Sequence, residues 1–264
     1  MQHNCTGNTC TAPDLCNGAY CVTPTPTQTP WTKLKNSSFQ SLNNLTVTVP
    51  VNPVAFDSSD SGSAYFIDGK GLVSNTASSL SNRQTSSAGW KAAGYTPVIS
   101  FTKDKILSYI NSKKNHIELT TLSANWQEIT KTGIYYLPGD YTITTSPTFN
   151  FPFVLISDGT ITISPGATFS PTSSVALIAP TITVNGSVTA INAILIGNTI
   201  DTGTSTNKLK INGNMIAQTS FANNRSDAVT SNRTPSVFIN FDPSLYIDLL
   251  PFLSIDKYEW KQLQ

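Results

Sequence analysis

The sequence predicts a mainly β protein: a parallel β-helix, or β-solenoid, with one capping helix and a small disulfide-stapled knob at its N-terminus. Three observations carry this reading. From residue 133 onward, five segments repeat one pattern of an apolar residue, a Gly or Pro corner and a short β-run. They start at Leu137, Ile156, Ile178, Ile196 and Ile211, that is 19, 22, 18 and 15 residues apart. A repeat near 20 residues whose units cannot bury their Ile, Leu and Val alone is the mark of stacked rungs. Within these segments Thr-Ile-Thr recurs at Thr142–Thr144, Thr160–Thr162 and Thr181–Thr183, as strand alternation demands. Finally, all four cysteines fall within the first 21 residues. A β-sandwich, with strands every 8–12 residues or about that, is the alternative architecture.

Taken in order, residues 1–22 form the knob. Cys5, Cys10, Cys16 and Cys21 sit in a polar, turn-rich stretch with too little apolar surface to hold itself together, so two disulfides are expected, in any of three pairings. A zinc site is the competing reading, but C-x4-C-x5-C-x4-C lacks the tight knuckles of zinc ribbons. Disulfides imply an oxidising compartment, and the segment Met1–Asn4 carries no basic-then-apolar signal peptide, so a processed ectodomain is expected. Residues 23–30 alternate Thr and Pro, an extended spacer that cannot pack a core. Residues 31–132 read as an irregular β-rich region, with a capping helix at 103–114 whose stripe is Ile106, Leu107 and Ile110. Residues 133–217 are the solenoid. Residues 218–264 form a C-terminal loop and an apolar cap along or over the far end of the rungs, which keeps the terminal rung from offering unpaired edges.

The 264 residues carry 16 Lys+Arg against 15 Asp+Glu, a net charge of +1, and only 12% are charged. Asn, Ser and Thr make up about a third. Such a chain has no electrostatic footprint for nucleic acid or anionic lipid, and no apolar run is long enough to span a bilayer. Between residues 133 and 207 the only charged side chains are Asp140, Asp158 and Asp201. Asp140 and Asp158 sit at corners of successive rungs and could approach each other as a glycosidase pair, but aspartates beside Gly more often bond their own backbone. His3 and His116 have no partners arranged as metal ligands, and Asp57 and Asp60, with Gly62, lack the further oxygens a calcium loop needs. Neither a cofactor nor a catalytic constellation is expected.

Alternation turns each central Ile of the Thr-Ile-Thr runs inward and both threonines outward. Stacking then makes Thr142, Thr144, Thr160, Thr162, Thr181 and Thr183 a flat two-column face, a candidate surface for a glycan or for ice. The bland account is that Thr forms stable ladders on any β surface. Candidate assembly contacts are Phe238, Phe241, Leu249, Leu250, Phe252 and Trp260 of the apolar tail. The runs Trp31–Phe39, Tyr65-Phe-Ile, Gly71-Leu-Val, Gly213–Ala217 and Thr234–Pro243 resemble secreted surface proteins of candidate-phyla bacteria, β-helical ectodomains associated with pilin-type export. That resemblance implies a cell-surface or appendage protein and brings no catalytic residues with it. The expectation is therefore an extracellular, non-enzymatic structural or adhesive protein, self-assembling into filaments or binding other surface proteins or glycan. A carbohydrate-active β-helix enzyme and an ice- or glycan-binding solenoid are the alternatives.

Overall fold

The structure, a computed structural model, describes residues 30–35, 50, 53–60, 119–123, 126–145, 149–167, 169, 173–227 and 229–253, together with the backbone of a few short strands and of Ser108 and Asn111. Near the N-terminus these strands are β1 (His3–Asn4), β2 (Leu15–Asn17) and β3 (Tyr20–Val22), an antiparallel set in order β1-β3-β2 with Cys16 opposite Cys21. Cys5 and Cys10, and the side chains of Cys16 and Cys21, lie outside the described residues, and no disulfide is found among those described. The expected helix at 103–114 also lies outside them, apart from Ser108 and Asn111, both helical and exposed.

The body is a parallel β-solenoid of about four turns. Its strands are β4 (Thr32–Lys35), β6 (Ile67–Asp68), β9 (Leu119–Thr121), β10 (Gly133–Leu137), β11 (Tyr141–Ile143), β12 (Phe153–Ser157), β13 (Thr160–Ile163), β14 (Val175–Val184), β15 (Ala190–Asp201), β16 (Leu209–Ala222) and β17 (Val237–Phe241). A smaller parallel set joins β5 (Phe39–Gln40), β7 (Leu72–Ser74) and β8 (Lys91–Ala93).

The registers resolve the solenoid into three sides. The second side stacks β9, β10, β12 and residues 175–179, 194–197 and 214–217. The third stacks β11, β13 and residues 181–184, 199–201 and 220–222. The first stacks residues 190–193 and 209–213 with β17, β4 and β6. One strand therefore closes the solenoid out of sequence: β4, from the start of the body, pairs with β17, from its end.

Inside, in-register columns fill the core. Tyr135, Leu155, Leu177, Leu195 and Met215 stack from the second side, and Tyr141, Ile161, Ile182, Ile200 and Phe221 from the third. In the early turns the described residues place no strand on the first side, and Phe149 and Phe169 pack edge-on to Trp126, with ring centroids 5.6 and 5.7 Å away. Aromatic rings supply the volume that strands supply later.

The second side is apolar outside as well as inside. Ile134, Val154, Ala176 and Ile194 form one outer column; Tyr136, Ile156, Ile178, Ile196 and Ile216 form the next. They are covered by helix α1 (Pro243–Leu253), which lays Leu245, Leu249 and Phe252 against them. Asp242 caps the helix by accepting from the Ser244 N–H at 2.9 Å, and Pro243 follows at the first helical position, where a missing N–H costs nothing. Ser174 and Asn214 add polar fasteners, donating to Asp248 at 2.6 Å and to the Tyr246 hydroxyl at 2.7 Å. The apolar helix of the tail thus lies along the flank of the rungs, and Ile156, Ile178 and Ile196 of the sequence repeat point out beneath it.

Candidate functional site

The third side carries the threonine face. Its inward residues are Ile and Val, with Tyr141 and Phe221 at the two ends of one column, so its outward ones are fixed by alternation. Thr142, Thr162 and Thr183 stand directly over one another and continue to Asp201; Thr160, Thr181 and Thr199 form the second column and continue to Ser220. Ser220 Oγ donates to Thr199 Oγ1 at 3.1 Å, so the column is hydrogen-bonded across rungs. Thr142 is exposed and Thr160, Thr162, Thr181 and Thr183 are half-buried, while Thr144 lies exposed just beyond β11. Neighbouring rungs are spaced about 4.8 Å apart and like-facing residues along a strand about 6.7 Å, which makes the face a rectangular grid of hydroxyls.

The corner that carries Asp140 and Asp158 is wired for structure. Asp158 accepts from the Gly139 N–H at 2.6 Å and from the Tyr136 hydroxyl at 2.9 Å, and Asp140 accepts from the Thr160 N–H at 2.7 Å. Ser157 Oγ donates to the Gly139 carbonyl at 2.6 Å. Every one of these bonds joins one rung to the next. Burial, then the Asp158 carboxylate, push the Tyr136 hydroxyl up to about 12, so it remains a neutral donor. The rungs approach so closely here that a Cβ on Gly159 would lie 2.4 Å from the Gly139 carbonyl carbon, which only glycine permits.

Asp57 and Asp60 lie on a strap, residues 53–60, that crosses the outside of the first side. Lysines answer both. Asp60 pairs with Lys33 of β4, and Asp57 with Lys210 of β16 at 2.6 Å. Lys35 donates to the Ser59 carbonyl at 2.6 Å, Phe56 packs on Phe238 with centroids 5.4 Å apart, and Lys208 lies over the Phe56 ring at 4.9 Å. Burial works against the Asp57 charge, but bonds from Lys210 and Ser59, with the Lys210 charge, outweigh it and hold the carboxyl at about 2, below its ordinary 3.8. A carboxyl lowered on folding stabilises the fold at pH above its unfolded value, and that contribution goes as pH falls through the folded one. The strap contact is expected to be fully present above about pH 4 and lost toward pH 2. NMR titration should place the Asp57 midpoint near 2; a midpoint near the ordinary value would mean that the Lys210 contact does not form in solution.

Two features escaped the sequence reading. Asn192 and Asn212 form an amide ladder on the first side, Asn212 donating to Asn192 at 2.9 Å and Asn192 to the Phe169 carbonyl at 2.7 Å, with Asn240 next in register. The recurrence of Ile-Asn at 191–192, 211–212 and 239–240 is the signal that announces it. Arg225 is fully buried, its guanidinium donating to the carbonyls of Thr202, Val188, Asn207 and Asn185 at 2.6–3.1 Å.

Of the tail residues, Phe238, Leu249 and Phe252 are buried within the chain, Phe241 stacks on Tyr246, and Leu250 is exposed beside Ile247 on the outer surface of α1; Trp260 lies outside the described residues, as does His116. Among the described residues no group of three His, Cys, Asp or Glu is placed to hold a metal, and no helix is long and apolar enough to cross a membrane. No family model, no curated protein and no solved structure matches the chain.

Proposed function

We propose that this chain is an extracellular, non-enzymatic adhesive protein that contacts a neutral polysaccharide through the threonine face of its solenoid. The observation that carries the reading is the register: four outward hydroxyl residues, Thr160, Thr181, Thr199 and Ser220, run in one column beside a second column of three, Thr142, Thr162 and Thr183, on a stacked scaffold. A grid held in place before binding loses little entropy on meeting an ordered, repeating partner. With 12% charged residues the protein has hydrogen bonding and shape, not charge, to recognise with. On this reading the knob is stapled by disulfides among Cys5, Cys10, Cys16 and Cys21, the Thr/Pro stretch is a stalk, and the chain belongs with the secreted β-helical ectodomains it resembles.

The test is sedimentation with insoluble polysaccharides. Thr162→Tyr, in the middle of a column, would roughen the face without touching the core, and is expected to weaken binding about tenfold, the loss of one or two hydroxyl contacts, with unchanged thermal stability. Binding that survives the substitution would overturn the role of this face. Thermal hysteresis abolished by the same substitution would reassign the face to ice. Cleavage of a polysaccharide, lost in Asp158→Asn, would make the chain an enzyme.

A further inference from the structure

The strap holds a second kind of chemistry, independent of the threonine face. Lys33 and Asp60 are in direct contact, their side chains 1% and 0% exposed. On one side lie the strands of the solenoid; on the other, the strap closes over them through Phe56 against Phe238 and the Val54 N–H bonded to the Arg233 carbonyl at 3.0 Å. Among the described residues, the other charged groups here are engaged elsewhere: Lys210 and Asp57 with each other, Lys35 with the Ser59 carbonyl, Lys208 with the Phe56 ring. Lys33 and Asp60 are thus held in contact, amine against carboxyl, away from solvent. The two oxygens of Asp60 are not equivalent. Oδ1 faces Lys33 Nζ, while Oδ2 accepts from the Phe56 N–H at 2.8 Å.

We propose that Lys33 and Asp60 condense to an intramolecular isopeptide bond. A buried ion pair carries a desolvation cost that its mutual attraction repays only in part. Transfer of one ammonium proton across the contact gives a neutral amine beside a neutral carboxylic acid, with no proton imported. Lys33 Nζ then attacks Asp60 Cγ. The Nζ–Cγ bond forms, the Cγ–Oδ1 bond breaks, and Oδ1 leaves as water carrying its own proton and one from the amine. Oδ2 remains as the amide carbonyl oxygen, and the Phe56 N–H stabilises the negative charge it bears in the tetrahedral intermediate. Nothing is oxidised or reduced and no cofactor is needed. The fold contributes proximity, which for oriented groups is worth a very large effective concentration, and exclusion of the water that would reverse the reaction. The product replaces two buried charges with one neutral amide and closes a covalent loop that ties the strap to β4.

Intact mass spectrometry of the purified, reduced and denatured chain decides this. The expected mass is lower than that of the sequence by one water, and proteolysis should yield one branched peptide containing Lys33 and Asp60. Lys33→Arg and Asp60→Ala should each restore the full sequence mass, whereas Asp60→Asn should give the same cross-linked chain by losing ammonia. A wild-type chain at its full sequence mass overturns the proposal, whatever the variants do. So does a water loss that persists in Lys33→Arg, since the dehydration would then lie elsewhere.

Discussion

Replacing Arg225 with methionine is expected to lower folding stability by about 4 kcal/mol, close to the cost of breaking a buried charged contact. Methionine keeps an apolar stem but leaves the carbonyls of Asn185, Val188, Thr202 and Asn207 without the donors that now reach them. An orphaned buried acceptor costs about 1–3 kcal/mol, and not all four can find water. Burial lowers the guanidinium to about 10, still well above neutrality, so the carbonyls face a full cation. Lysine would not rescue the site, because three donors on one atom cannot span four carbonyls drawn from separate corners. Urea denaturation, comparing midpoints at unchanged slope, measures the loss. A shift below about 1 kcal/mol would show that the corners hold themselves without the arginine.

Leu249→Asp is the second large effect. Leu249 is fully buried between α1 and the outer columns of the second side, and a carboxylate there either unfolds the helix contact or carries an unpaired charge into apolar surroundings. A loss of about 4 kcal/mol is expected, with the helix displaced and Ile156, Ile178 and Ile196 newly open to an apolar dye. The strand signal in far-ultraviolet circular dichroism should persist, because the interior columns do not depend on the helix. Ile247→Asp on the same helix is the control: at 67% exposure it should change stability by less than about 0.5 kcal/mol. Equal effects from the two substitutions would contradict the helix orientation.

The outward threonines were legible in the sequence because alternation is local: Thr-Ile-Thr states both the strand and its outward face, but not the register, which sets Thr142 over Thr162 and leaves Thr144 beyond the columns. The repeat was legible in its middle. Ile156, Ile178 and Ile196 are in register, but Leu137 is one residue past its counterpart Tyr136, and the rung expected at Ile211 has its equivalent at Ile216. The true steps between these positions are 20, 22, 18 and 20 residues. The apparent shortening to 15 arose because Ile211 belongs to a different side, stacking on Ile191 and Ile239. Long strands such as β15 and β16, which continue through two corners without leaving the sheet, hide where one side ends. Runs such as Phe-Val-Leu-Ile-Ser at 153–157, apolar at successive positions, already state that both surfaces are covered. The helix that covers them was also announced locally, by Asp242-Pro243 followed by Leu245, Leu249 and Phe252 at helical spacing. What no local pattern could give is a pairing between residues some 200 positions apart, as when Trp31 donates to the Asn232 carbonyl. The strap was beyond reach for the same reason, since Asp57 and Lys210 find each other only after the rungs have stacked.

The seating of β4 on β17 has a consequence for how the molecule comes into being. The first strand of the body leaves the ribosome long before the strand that receives it, and Trp31, Thr32, Lys33 and Leu34 have no place to be buried until residue 241 has followed. Turns in the middle can stack as they emerge, each on its predecessor, whereas closure must wait for the whole length of chain and join its two extremities. Contacts so distant in sequence form late and slowly. Refolding should accordingly end in a slow step that buries Trp31, after the central rungs have already acquired their strand signal.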